Sequence, residues 1–390
     1  DSDWIDIDTD AVNGSNTDNG GCTAPVGQGC YKWEIPNDIS ATAKVRVMDI
    51  NDPDGKDVSN AIFHIRPDMT LTDPNSGEDW AVGSQQTISW KTIGTVTNVK
   101  LEYSKLGDFS DVVTIATPAN VGATGACTIP EGDTGCYLWT VPNQIANNTV
   151  KVRVSDADAG HPPAVDPSND PFTIRAYLEV KIPNGGERWG ILTPNMVSWT
   201  SINPATGTAS TVGTVRIDYS TNSSNQNPTW TLVENVSNGS NGGCVIPQGA
   251  SGCYSWNVPD TPSGDVKIMI TDTDAGHPAS TDDSNVPLAI QGSIAVTSPT
   301  TEETWTVGDQ KTISWDTTSQ LTEVKVEYSR LGDFTDTICI AGSDVGCAGP
   351  AAANSPNRDG PSDGGGSVSW NVQDAISSAA RIRVSDPGDS

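Results

Sequence analysis

The chain is poor in positive charge. Of its 390 residues only 21 are Lys or Arg, against 49 Asp or Glu, for a formal net charge of −28. A nucleic-acid interface needs basic stripes facing the phosphates, and none is present. The same charge repels an anionic membrane surface, favours solubility and attracts divalent cations. Long apolar runs are missing too: no segment approaches the ~18 residues of a membrane span. There are only three His. No Ser-His-Asp set recurs and no nucleophile has a neighbouring base, so the chain does not read as an enzyme. No segment sustains a helical period. No signal-peptide pattern opens the chain, and Asp1-Ser2-Asp3-Trp4 reads as a mature terminus or a cut.

Turn formers are abundant: 38 Gly and 26 Pro suit many short strands joined by polar loops. Eight Cys fall into four local pairs: Cys22 with Cys30, Cys127 with Cys136, Cys244 with Cys253, and Cys339 with Cys347. An even count at regular spacing reads as disulfides and an oxidising compartment. Zinc is the weaker reading, because the spacing is not C-x2-C and His are few.

The chain repeats at just over 100 residues. Glu78-Asp79-Trp80 returns as Glu187-Arg188-Trp189 and Glu303-Thr304-Trp305. Ile88-Ser89-Trp90 returns as Val197-Ser198-Trp199 and Ile313-Ser314-Trp315. Cys30-Tyr31-Lys32-Trp33 has copies ending in Trp139 and Trp256, and Val368-Ser369-Trp370 is a copy without its Cys. These marks hold ten of the twelve Trp.

Within each repeat the apolar period is two. Val99-Lys100-Leu101-Glu102-Tyr103 has copies at Val215 to Tyr219 and Val324 to Tyr328. Val150-Lys151-Val152-Arg153-Val154 has copies at Ala43 to Val47, Val266 to Ile270 and Ala380 to Val384. One face packs inward and the other meets water, the pattern of antiparallel sheets stacked as a sandwich. The expected fold is all-β: tandem immunoglobulin-like or fibronectin-like β-sandwiches. Each Cys pair is too close in sequence to bridge two sheets. It should staple the loop before the Tyr-x-Trp strand, worth about 2–3 kcal/mol in a chain-entropy account.

Asn184-Gly185-Gly186-Glu187-Arg188-Trp189, Val307 to Trp315, Tyr137-Leu138-Trp139-Thr140-Val141-Pro142 and Asp166 to Ile174 carry a family resemblance. Together they resemble the immunoglobulin-like repeat of the Ser/Thr-rich GPI-anchored cell-wall family of fungi. Similar modules occur in tandem in giant secreted surface proteins of bacteria and archaea. The resemblance implies spacers, adhesin parts or fibre units, with no active site to carry over. The Cys pairs depart from that pattern.

Complete repeats are expected at 67–176 and 177–292. Residues 1–66 match only the second half of a repeat, with Trp4-Ile5-Asp6-Ile7 aligned to Trp230-Thr231-Leu232-Val233. Residues 293–390 lack the last Phe-x-Ile strand. Phe172-Thr173-Ile174-Arg175 runs almost directly into Leu178-Glu179-Val180, so a stiff rod is expected. The incomplete terminal modules have two explanations: a window from a longer polypeptide, or completion by a neighbouring subunit through strand addition.

The turn before the last strands is acidic in each copy. Asp156, Asp158 and Asp166 recur as Asp272, Asp274 and Asp282. Calcium takes oxygens from such loops, and these six are candidate ligands; the competing reading is Asx turns. No other cofactor is called for. His161 and His277, both in Ala-Gly-His-Pro, read as turn residues. Asn13, Asn147, Asn222, Asn235 and Asn238 open N-x-S/T sequons and are candidate glycan sites of a secreted glycoprotein. The Trp alternate inward, leaving Trp4 and Trp230 as candidates for a sugar platform. The segment Gly349 to Gly366 reads as a surface insertion.

The function expected is a structural protein of an extracellular or cell-surface filament, sheath or stalk. Its partners would be copies of itself or the continuation of a longer chain. The alternatives are an adhesin or carbohydrate-binding stalk with surface glycans as partner, and the spacer of a large secreted enzyme.

Overall fold

The computed structural model describes residues 4–9, 21–23, 27–318, 323–342, 352–353, 355–360 and 363–386. The candidate residues Asn13 and Cys347 lie outside these. No helix occurs among the described residues, and so none is long and apolar enough to cross a membrane. The chain divides into two compact units, Asp1–Arg175 and Ala176–Ser390.

The first unit contains a complete sandwich. Its four-stranded sheet runs Gly122–Thr124, Gly135–Thr140, Gln85–Ile93, Asp68–Asp73; its larger sheet runs Asp79–Ala81, Phe172–Arg175, Ala146–Asp156, Val99–Ser104, Val113–Ala116. Val165–Pro167 adds to Ala146–Asp156. The second unit repeats this plan with Glu179–Ile182, Pro194–Thr200, Gly252–Asn257 and Ser240–Asn241 facing a sheet built around Ser263–Asp272. Alternation explains the layering: Val150, Val152 and Val154 are fully buried while Lys151 and Arg153 between them are not.

The core is organised by tryptophan. Trp90, Trp199 and Trp315 are the largest fully buried side chains. Trp90 stands in register with Gly135, Trp199 with Gly252 and Trp315 with Gly366 on the neighbouring strand. A Cβ on Gly135 would lie 2.7 Å from the Trp90 ring, and one on Gly252 2.4 Å from the Trp199 ring. The indole therefore occupies the space a side chain would take. The indole N–H donates to Asn120 Oδ1 at 3.0 Å in one module and to Asn238 Oδ1 at 2.9 Å in the other, so no buried donor is stranded. A second aromatic group crosses the sheets: Trp80 on Trp139 at 6.0 Å and Tyr103 on Trp139 at 5.5 Å. Trp189, Trp256 and Tyr219 repeat it, as do Trp305, Trp370 and Tyr328.

Three disulfides close local loops: Cys22–Cys30, Cys127–Cys136 and Cys244–Cys253. Cys339 is disulfide-bonded as well. In the complete modules each loop opens directly into the Tyr-x-Trp strand and carries the glycine that faces the core tryptophan.

Two differences from the sequence reading stand out. The expected surface insertion ends inside the sheet: Asp363–Asn371 pairs with Gln310–Thr317 along eight register positions. Glycine permits this, because a Cβ on Gly365 would sit 2.6 Å from the Trp315 carbonyl oxygen. In the first half-module the expected strand Ala43 to Val47 breaks into Ser40–Ala43 and Arg46–Met48. No counterpart of Val99–Ser104 is present beside it among the described residues. Val47 is 72% exposed, whereas its counterpart Val154 is fully buried.

The tryptophan–glycine pairing gives a direct test. Gly252→Ala should destabilise its module by about 1–3 kcal/mol through overpacking. Gly185→Ala, where nothing lies within 4 Å, should stay within ~0.5 kcal/mol of wild type. Denaturant midpoints compare the two, and equal shifts would refute the packing account.

Candidate functional site

The acidic turns carry the densest chemistry. Each follows the long strand Ala146–Asp156 or Ser263–Asp272, and each has the spacing Asp-x-Asp-x-x-His. In the first, His161 Nδ1 lies 2.7 Å from Asp156 Oδ2, and the other Asp156 oxygen accepts the Asp158 N–H at 2.9 Å. In the second, His277 Nδ1 lies 2.7 Å from Asp272 Oδ2, and Asp272 Oδ1 accepts the Asp274 N–H at 3.0 Å. The turn is thus locked on itself before it meets anything else.

The middle carboxylate then reaches across to the start of the neighbouring strand. Asp158 accepts N–H groups from Thr97 at 2.5 Å and Asn98 at 3.1 Å. Asp274 accepts from Gly213 and Thr214 N–H at 2.5 and 2.9 Å, and from the Thr214 hydroxyl at 2.7 Å. Partial burial pulls both carboxyls upward. Those N–H donors, with the nearby imidazole, outweigh it and hold them below the usual carboxylate range.

Of the six Asp grouped from the sequence, the structure brings together Asp156 with Asp158 and Asp272 with Asp274. In each pair the third member is histidine, His161 or His277, within 4.8 Å. Asp166 and Asp282 sit on separate short strands and accept the N–H of Leu71 at 2.8 Å and of Val180 at 2.7 Å. Each His beside Pro reads from sequence as a turn residue, and the doubled Asp-x-Asp-x-x-His spacing is the signal that places it on the carboxylates. Two carboxylates plus an imidazole, with oxygens already holding N–H groups, fit poorly with the six to eight oxygens that calcium takes. They form a clamp between a turn and a strand. In the half-module, Asp49 and Asp52 accept the N–H of Asn51 and Asp54, two residues on, as Asx turns.

Other carboxylates are used the same way. Glu78, Glu187 and Glu303 each accept backbone N–H groups from the turn before them. Asp111 and Asp336 accept from Ser104 and Ser329 and from the N–H of Leu106 and Leu331. Glu102, 4% exposed, takes Lys100 and Arg153; Glu327, 3% exposed, takes Lys325 and Arg383. Asp73 is the opposite case. Burial, with Glu78 and Asp133 adding repulsion, pushes it up to about 6. Its neutral form therefore stabilises the fold below about pH 4, a contribution lost as pH rises through about 6.

The two aromatic candidates are both partly buried. Trp4 is half-buried, with the Arg46 guanidinium 4.3 Å above its ring, and Trp230 is half-buried. Among the sequons, Asn147 and Asn235 are exposed and Asn222 is half-buried, its Oδ1 accepting the Thr229 N–H. The Asn238 amide is committed inward: it accepts from Trp199 and donates to Ser201 Oγ and the Val212 carbonyl.

No protein-family profile matches the chain, and no curated protein matches it. Among solved structures, the chain is similar to the fibronectin(III)-like modules of Clostridium thermocellum CbhA, at 11% identity, covering 57% of this chain and 92% of that one with a TM-score of 0.18. It is also similar to an I-band fragment of titin, at 9% identity, covering 83% and 95% with a TM-score of 0.23. A third is the N-terminal eight Ig domains of Down Syndrome Cell Adhesion Molecule, at 9% identity, covering 85% and 44% with a TM-score of 0.23. The fold assignment rests on the sheets themselves.

Asp274→Asn should cost about 1–2 kcal/mol, because an amide presents a donor where N–H groups need acceptors. The folded pKa of Asp274 lies below its unfolded value. The clamp is therefore complete above about pH 4 and fails as pH falls further. Chemical denaturation at pH 7 and pH 3 should show the variant's deficit shrinking at the lower pH. A deficit equal at both would remove the clamp. Adding ~1 mM calcium to EDTA-dialysed protein should leave the thermal midpoint unchanged, and a saturable rise would restore the calcium reading.

Proposed function

We propose that the chain is a structural component of an extracellular filament, sheath or stalk. Tandem stapled sandwiches fit a structural or adhesive role, and the disulfides fit an oxidising, extracellular setting. The observation that carries the structural reading is where the chemistry-bearing groups point. In the two complete modules the recurring tryptophans pack inside, and the recurring carboxylates hold backbone N–H groups of their own module.

The modules then act as mechanically closed units. Their function lies in being repeated and joined, and their chemistry in keeping loops and sheets from separating. An adhesive stalk would need an outward aromatic or polar platform, which the half-buried Trp4 and Trp230 do not supply.

Electron microscopy of the native material should show long regular filaments of uniform width. Thin particles ending in a globular head would overturn the filament reading and place the function in that head.

A further inference from the structure

The fold leaves the sequons in different chemical states. An N-x-S/T acceptor needs its Asn amide nitrogen and the hydroxyl two residues on. Of the five, Asn13 lies outside the described residues. In three of the other four the hydroxyl is already engaged. Thr149, which completes the Asn147 sequon, donates to the Lys105 carbonyl at 2.8 Å. Ser224, which completes the Asn222 sequon, donates to Asp265 Oδ2 at 2.6 Å. Ser240, which completes the Asn238 sequon, donates to the Cys244 carbonyl. Asn238 is unsuitable on its own account as well. Its Nδ2 donates to the Val212 carbonyl at 3.0 Å, and its Oδ1 accepts the Trp199 indole N–H. A sugar on that nitrogen would displace contacts the core depends on.

Asn235-Val236-Ser237 is the exception. Val236 is 9% exposed and stands in register with the fully buried Val215. Side chains alternate along a strand, so Asn235 and Ser237 share the outward face. Both are exposed, and among the described residues neither the Asn235 amide group nor the Ser237 hydroxyl has a hydrogen-bond partner. Amide and hydroxyl therefore stand side by side, free and facing solvent.

The position of this sequon matters. Thr231–Ser237 is the edge strand of the larger sheet of the second module, and its outer edge is unpaired among the described residues. It has seven residues, whereas its counterpart in the first module, Val113–Ala116, has four. Leu232 on it is 47% exposed. The Asn235 N–H is taken by Glu234 Oε1 at 3.0 Å instead of by the ladder. A long open edge is a template for pairing with another chain, and natural sheets shorten or cover such edges.

We propose that Asn235 carries an N-linked glycan and that this glycan covers the open edge. Asn235 Nδ2 forms a bond to the anomeric carbon of a sugar held by a glycosyl-phosphate donor. The bond from that carbon to the donor's phosphate oxygen breaks, the phosphate leaves with the electron pair, and the amide gives up one proton to a base of the transferase. Nothing is oxidised or reduced. The Cys244–Cys253 disulfide of the same module fits an exported chain, the setting in which such donors act. The attached sugars stand on the edge strand itself, beside its free N–H and C=O groups. The inference goes beyond the filament reading and does not depend on it.

Glycopeptide mass spectrometry on the native material, with fragmentation that retains the sugar, tests the site. Asn235 should carry a sugar mass and Asn238 none. An unmodified Asn235 overturns the proposal, and so does a sugar on Asn238, because the fold would then not select among the sequons. Two variants produced in the source organism test the edge. Asn235→Gln removes the acceptor, and Ser237→Ala removes only the hydroxyl while keeping the Asn235 amide. Both should raise the mean mass in light scattering several-fold over wild type at high protein concentration. Masses equal to wild type in both variants would overturn the covering role.

Discussion

A cross-strand pair of tryptophan and glycine sets the spacing inside each sandwich. Trp90 opposite Gly135 and Trp199 opposite Gly252 place an indole where a Cβ cannot go. The ring then spans the space between sheets, and its N–H must find a partner there. Asn120 and Asn238 supply it from the far loop, and in doing so tie that loop to the core: Asn120 Nδ2 donates to the Val96 carbonyl, and Asn238 Nδ2 to the Val212 carbonyl. The disulfide holds the glycine-bearing loop in place. Core packing, loop position and the staple are therefore one constraint. Losing the glycine or the tryptophan displaces the stapled loop too.

The negative charge follows from a second constraint. A sandwich with many turns leaves backbone N–H groups that no ladder satisfies. Carboxylates are strong acceptors for them, and this chain uses Asp and Glu for that task in every module. Asp158 and Asp274 hold the start of one strand, Glu78 and Glu187 hold the turn before Trp80 and Trp189, and Asp166 and Asp282 hold the opening strand. Each of these carboxylates holds backbone N–H groups of its own module. Where burial comes without enough donors, as at Asp73, the carboxyl is pushed toward neutrality instead.

This marks the limit of what was legible. Period-two alternation and the Trp marks showed the sandwich because both depend on local spacing, which sequence preserves. The Cys pairs showed the staples for the same reason. The acidic turns are visible in sequence but their partners are not: Asp166 is close to Asp156 in sequence, while its carboxylate accepts the N–H of Leu71, nearly a hundred residues earlier. No spacing rule reports that partner. His161 was discounted because a single His beside Pro is usually inert, and only its geometry with Asp156 shows the lock. Asn238 satisfied a sequon, while its amide was needed by Trp199.

Strand identity itself is the deepest non-local property here. Glu303-Thr304-Trp305 repeats Glu78-Asp79-Trp80, yet one is irregular and Asp79–Ala81 is a strand. Local propensity is the same to within a residue. What differs is the neighbour, since a parallel rail exists only when something pairs with it. In the first repeat Ala43 to Val47 breaks in two, and no counterpart of Val99–Ser104 lies beside it among the described residues. Each repeat therefore encodes strands whose formation is conditional on the completeness of the sandwich.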